Sequence, residues 1–203
     1  FSSWTLMVSG CAFFVAGTAT WMTVFNVDVP PVLNTLTVVL MPIAYGAAFI
    51  TATVVRYIII PEEIAQERPF GTYFKNYELV MHNYAPILLA IDLFLVQAQL
   101  NWEFGVFPIY FGIVYVLFSY AYARAPQGYY IYSFLDPRIP LAPAYLLGLL
   151  FACCLFYLGL WSVSMLIQWN AVLGGLVLAF WVSRIVLFRR QVKDNPYAFQ
   201  SSS

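Results

Sequence analysis

The chain holds one histidine, His82, in the run Val80-Met81-His82-Asn83-Tyr84. Imidazole is the side chain whose ordinary pKa suits general-base work near neutral pH. An interfacial histidine that only hydrogen-bonds a carbonyl would look the same in sequence. Ten residues on, Asp92 interrupts the apolar run Leu89-Ala90-Ile91-Asp92-Leu93. An acid at the centre of a membrane helix costs about 2.5–3.5 kcal/mol to insert. Asp92 is therefore expected to face other helices, protonated or partnered by a Ser, Thr, Asn or Tyr. It would serve either an interhelical hydrogen bond or a cavity. A third cluster, Tyr129-Tyr130-Ile131-Tyr132-Ser133-Phe134-Leu135-Asp136, concentrates aromatics in a loop. Tyr130, Tyr132 and Phe134 could line a portal for an acyl chain, or anchor the loop at headgroup level. A lone histidine leaves no bis-His haem and no multi-His metal site within the chain. Cys11, Cys153 and Cys154 lie in apolar runs without a CxxC, and adjacent cysteines pair poorly. No metal, cofactor or disulfide is expected.

The elements that must position these groups follow from composition. Of 203 residues, 63% are hydrophobic and 9% charged, with a net charge of zero. A soluble domain carries about 25% charged residues, so this chain is read as an integral membrane protein with lipid as its main solvent and partner. Without a basic field, nucleic acid is not an expected partner. About 20 apolar residues cross a bilayer, and six such runs occur: about 4–25, 32–60, 84–100, 104–123, and two within 141–187. That last stretch has 47 residues with Arg184 as its one charge. It divides most naturally at Gln168-Trp169-Asn170. The expected fold class is an all-α, polytopic transmembrane helix bundle of six spans, covering residues 1–190, with a polar tail at 191–203.

Charge supports the count. With six crossings, Arg56, Arg68, Lys75, Arg124, Arg138, Arg184, Arg189, Arg190 and Lys193 all fall on one side. That side, with both ends of the chain shown, is expected to be cytoplasmic, matrix or stromal. The opposite loops carry Asp28 and Glu103. Two long loops, about 61–83 and 124–140, lie on the basic side, where functional loops would be sought. Gly148 with Ala152, and Gly174-Gly175, would permit close helix contact.

Three segments together resemble the androgen-induced and rolling-stone-like family of multi-spanning membrane proteins. Met81-His82-Asn83-Tyr84-Ala85-Pro86-Ile87-Leu88-Leu89-Ala90-Ile91-Asp92 is similar to that family's His-bearing helix, with an acid about ten residues on. Tyr130-Ile131-Tyr132-Ser133-Phe134-Leu135-Asp136 resembles its aromatic-Tyr-Pro-Phe-Leu-acid loop, with Ser133 where the family has Pro. The second run, with Pro42 inside and Arg56 near its end, also fits. The likeness spans roughly residues 1–160 and leaves the last helix uncovered.

Some members of that family hydrolyse fatty acid esters of hydroxy fatty acids with an intramembrane Thr nucleophile and this histidine. The resemblance aligns Phe1-Ser2-Ser3-Trp4-Thr5 with the nucleophile segment, so that Ser3 replaces the Thr. It also implies that the family's first helix lies upstream of Phe1. Ser3 and His82 would then meet at the basic face, as a nucleophile and its base must. Thr37 opens the second run on the opposite face, about 30 Å away. Asp92 or Asp136 would orient or polarise the imidazole. The competing expectation is a non-catalytic accessory or structural subunit of a large membrane complex. The Thr-to-Ser change, Ser133, the additional last helix and the Glu-rich loop agree with that reading. A transporter would rest on Asp92 alone, with no inverted repeat to support it.

Overall fold

Where the hydropathy runs end, local chemistry sets the helix boundaries. The computed structural model describes residues 1–132 and 135–188. Six helices carry the architecture: α1 (Ser2–Val24), α2 (Pro31–Ala65), α3 (Asn76–Val96), α4 (Trp102–Ala123), α5 (Ala142–Trp169) and α6 (Ala171–Ile185). No strand occurs among the described residues. Pro31 sits at the first position of α2, where its missing N–H costs nothing. Asn101 Oδ1 accepts from Glu103 N (3.1 Å) at the start of α4, and Asn170 Oδ1 from Leu173 N (3.0 Å) at the start of α6. The expected division near Gln168-Trp169-Asn170 therefore coincides with an asparagine N-cap.

Five helices, α1 to α5, are long and apolar enough to cross a membrane, and the chain is a multi-pass, all-α membrane protein. The sixth expected span is shorter than foreseen. α6 has 15 residues, about 22 Å at 1.5 Å per residue, against a hydrocarbon core of about 30 Å. It stops because Val186 turns extended and Leu187 pairs with Asn83 instead of continuing the helix.

Successive helices run antiparallel. Thr5 Oγ1 meets Thr51 Oγ1 at 3.3 Å between α1 and α2. A Cβ on Gly46 of α2 would touch Pro108 of α4, and one on Gly112 of α4 would touch Leu150 of α5. α2 is central, and its Tyr45, Ala48 and Phe49 lie in the main apolar core with Leu89, Leu93 and Leu160. The glycines behave differently from one another. A Cβ on Gly174 would come within 2.6 Å of Ile167 backbone, whereas one on Gly148 would meet open space. Gly174 permits the tight α5–α6 turn; Gly148 permits no contact.

The third span also departs from expectation. It begins at Asn76, eight residues before the expected start at Tyr84, and ends at Val96 because Gln97 adopts φ 50°. His82 thus lies inside a helix and not at its opening. Ser133, Phe134 and residues 189–203, which include Arg189, Arg190 and the tail 191–203 with Lys193, lie outside the described residues.

Candidate functional site

Two prolines shape the site. Pro61 and Pro86 each lack an N–H, and each ring crowds the carbonyl four residues earlier, that of Tyr57 and of His82. One turn before each, the helix widens into a π turn, Val55–Ile59 in α2 and Val80–Tyr84 in α3. Ile60 N donates to Val55 O and Ala85 N to Val80 O, the five-residue spacing of that geometry. π turns occupy well under 1% of residues, roughly, and gather at functional sites. Here the two lie side by side, and one of them carries His82.

His82 is buried, 4% exposed. Its Nε2 lies 2.7 Å from Glu78 Oε2, one turn back on α3. With a carboxylate as acceptor, Nε2 carries the proton and Nδ1 the lone pair. Nδ1 has no hydrogen-bond partner among the described residues. The neighbouring Asn83 faces elsewhere. Its Nδ2 donates to Leu187 O (2.9 Å), and its Oδ1 accepts from Leu187 N (3.0 Å). Arg56 donates to the Ser183 and Val186 carbonyls, and Tyr57 to that of Arg184. The end of α6, whose last carbonyls need donors, is thus satisfied by residues of both π turns.

Above His82 opens a cleft of about 440 Å³, within the usual range of ligand pockets. The start of α1 lines it with Ser2, Ser3 and Trp4, α3 with Glu78, Met81 and His82, α4 with Tyr115 and Phe118, and the loop before α5 with Ile131 and Tyr132. Ser3 and His82 share this cleft, but no hydrogen bond joins them; the Ser3 hydroxyl points to Met81 Sδ at 3.8 Å. Ser2 lines the same cleft beside Tyr132, whose phenol accepts from the Phe1 amino group at 3.5 Å. Burial holds the Tyr132 phenol above its ordinary pKa, so it faces the cleft neutral. His82 also lines a space of about 10 Å³ with Arg56, Tyr73 and Asn83, near the threshold for one water molecule.

The other expected site residues are distributed away from the imidazole. Tyr45 OH donates to Asp92 Oδ2 at 2.7 Å, so Asp92 found its partner on α2. Both line a separate cavity of about 710 Å³ with Thr37. Ten residues of helix, about 15 Å, separate Asp92 from His82. Asp136 instead accepts from Arg138, through the guanidinium (2.6–3.1 Å) and the backbone N–H (2.9 Å). Those bonds hold its carboxyl below the ordinary range. The orienting contact expected from Asp92 or Asp136 is therefore made by Glu78, because i and i+4 on α3 bring that carboxylate onto the ring. Of the aromatic loop, Tyr132 enters the cleft and Tyr130 packs edge-on against Tyr120 at 6.0 Å. Phe134 is outside the described residues.

Glu78, Ser2 and Tyr115 were not singled out in the sequence. Glu78 carries a signal, its four-residue spacing from His82, but the polar residues around it give the segment the look of a loop. Among the described residues no group of three His, Cys, Asp or Glu could hold a metal ion. No family model, curated protein or solved structure matches the chain.

Proposed function

We propose that the chain is an intramembrane hydrolase of lipid esters, with Ser3 as nucleophile, His82 as base and Glu78 orienting the ring. One observation carries the reading: a serine hydroxyl, the single histidine and a carboxylate bonded to it converge on one cleft between helix ends. The family resemblance of the His-bearing helix supports the same chemistry. The expected cytoplasmic, matrix or stromal location of this end belongs to the same proposal.

The reaction needs a nucleophile made basic and an oriented imidazole. Ser3 Oγ turns from Met81 toward the ring nitrogen that Glu78 leaves free and gives up its proton there. Its oxygen bonds to the ester carbon, and the carbonyl π pair moves onto oxygen. Collapse of that intermediate breaks the ester C–O bond, and the departing alkoxide takes the proton from His82. Water then repeats the sequence on the acyl-serine, releasing the fatty acid and free Ser3. Glu78 keeps the imidazolium paired throughout. The cleft's Trp4, Phe118 and Ile131 supply the apolar wall an acyl chain requires.

The test is hydrolysis of a fatty acid ester of a hydroxy fatty acid by purified protein in detergent. His82→Ala and Ser3→Ala should each lower kcat by about 10²–10⁴-fold with unchanged elution. Glu78→Gln, which keeps a hydrogen-bonding group but removes the charge, should cost less than His82→Ala. Full activity in His82→Ala would remove the histidine from the reaction.

A further inference from the structure

Tyr115 is the most anomalous side chain in the cleft. It is 3% exposed, and its hydroxyl has no hydrogen-bond partner among the described residues. Its ring is held edge-on by Phe1 at 5.0 Å and by Trp4 at 5.7 Å. The phenol is therefore fixed in place while its polar end is left unused. Native proteins rarely tolerate such an orphan, and where one persists it asks for a reason. Tyr115 lines the same cleft as Ser3, Glu78 and His82. The comparison within α4 sharpens the point. Ser119, one turn further on, is also buried, its hydroxyl without a hydrogen-bond partner among the described residues. It lies outside the residues that line this cleft.

We infer that the Tyr115 hydroxyl is the hydrogen-bond donor for the carbonyl oxygen of the ester substrate. This rests on the hydrolase reading of the cleft. As Ser3 attacks, the carbonyl oxygen gains negative charge. A neutral phenol already buried in the cleft wall stabilises that charge with little reorganisation. Tyr115 keeps its proton throughout; it donates a hydrogen bond and transfers nothing. Before substrate arrives the hydroxyl has no partner among the described residues, and an unpaired buried donor is a cost to the fold.

The inference predicts opposite effects on stability and on rate. Tyr115→Phe keeps the ring that Phe1 and Trp4 pack against and removes only the orphaned hydroxyl. Its melting temperature should equal or exceed that of the wild type. Its kcat for ester hydrolysis should fall about 10²–10³-fold, the usual effect of losing one such donor, with KM nearly unchanged. A long-chain trifluoromethyl ketone, which forms a tetrahedral oxyanion on Ser3, should bind Tyr115→Phe at least tenfold more weakly. Ser119→Ala should match the wild type in kcat. A melting temperature below wild type would make the hydroxyl structural and overturn the inference. So would an unchanged kcat in Tyr115→Phe when the wild type is active. If the wild type neither turns over ester nor binds the ketone, the hydrolase reading falls, and this inference with it.

Discussion

Asn83→Leu perturbs the contact that ties the end of α6 to the His82 turn. The asparagine amide closes a two-bond ring with the Leu187 backbone, at 2.9 and 3.0 Å. Leucine has similar bulk and neither donor nor acceptor, so both bonds are lost and both Leu187 backbone groups lose their partner. Leu187 is half-buried, so water can reach part of what is exposed, and the net value of an ordinary hydrogen bond applies. At about 0.5–1.5 kcal/mol each, two bonds amount to about 1–3 kcal/mol. That corresponds to a change of about 5–150-fold in the local opening equilibrium. Hydrogen exchange of peptides covering 183–188, in detergent or nanodiscs, reads this directly. The Leu187 amide should exchange faster by that factor, while peptides from the core of α2 around Phe49 should not change. Leu187→Ala, which leaves both backbone bonds intact, should show a smaller effect. Unchanged exchange in Asn83→Leu would refute the idea that this ring holds the segment. An equal acceleration across α2 would show global loosening instead.

The Tyr45–Asp92 bond should appear as coupling in a double-mutant cycle. Tyr45→Phe and Asp92→Leu should each destabilise, and the pair should be less than additive by about 0.6 kcal/mol, the average for bonds between membrane helices, and by no more than about 1.7 kcal/mol; thermal unfolding in detergent checks it. Gly174→Ala should destabilise by about 1–3 kcal/mol, because its methyl would strike Ile167 backbone and force the α5–α6 turn apart. Gly148→Ala meets open space and should stabilise by about 0.5–1 kcal/mol through helix propensity alone; melting temperatures of the two variants should move in opposite directions. In mild detergent the native protein should run as a monomer or small oligomer. Recovery solely within a very large assembly would instead favour the accessory-subunit reading.

The fold was legible where chemistry is local. Few charges and long apolar runs announced membrane helices, and Asn170 divided the last 47-residue stretch because an asparagine side chain caps the next helix. The start of α3 was not legible, because Glu78 made a helical turn look like a polar loop. The same polar character conceals the carboxylate beside His82, although the four-residue spacing is present. The π turns had a signal in Pro61 and Pro86, since each proline removes a helical bond and crowds a carbonyl one turn back. Tyr115 had none: it is one of 15 tyrosines, and only packing distinguishes it. Asn83 and Leu187 are 104 residues apart, and no local spacing announces a contact between them. Asp92 was correctly expected to need a polar partner on another helix, but Tyr45 itself could not be named from one sequence.

The central claim is that Ser3 is a nucleophile activated by His82. Labelling with a lipid-like fluorophosphonate, followed by mass-spectrometric mapping of the adduct, tests it most directly. An adduct on Ser3 is expected in the wild type, lost in Ser3→Ala and reduced about 10²-fold or more in His82→Ala. An adduct on Ser2, labelling undiminished in His82→Ala, or no adduct on active, monodisperse protein would contradict it.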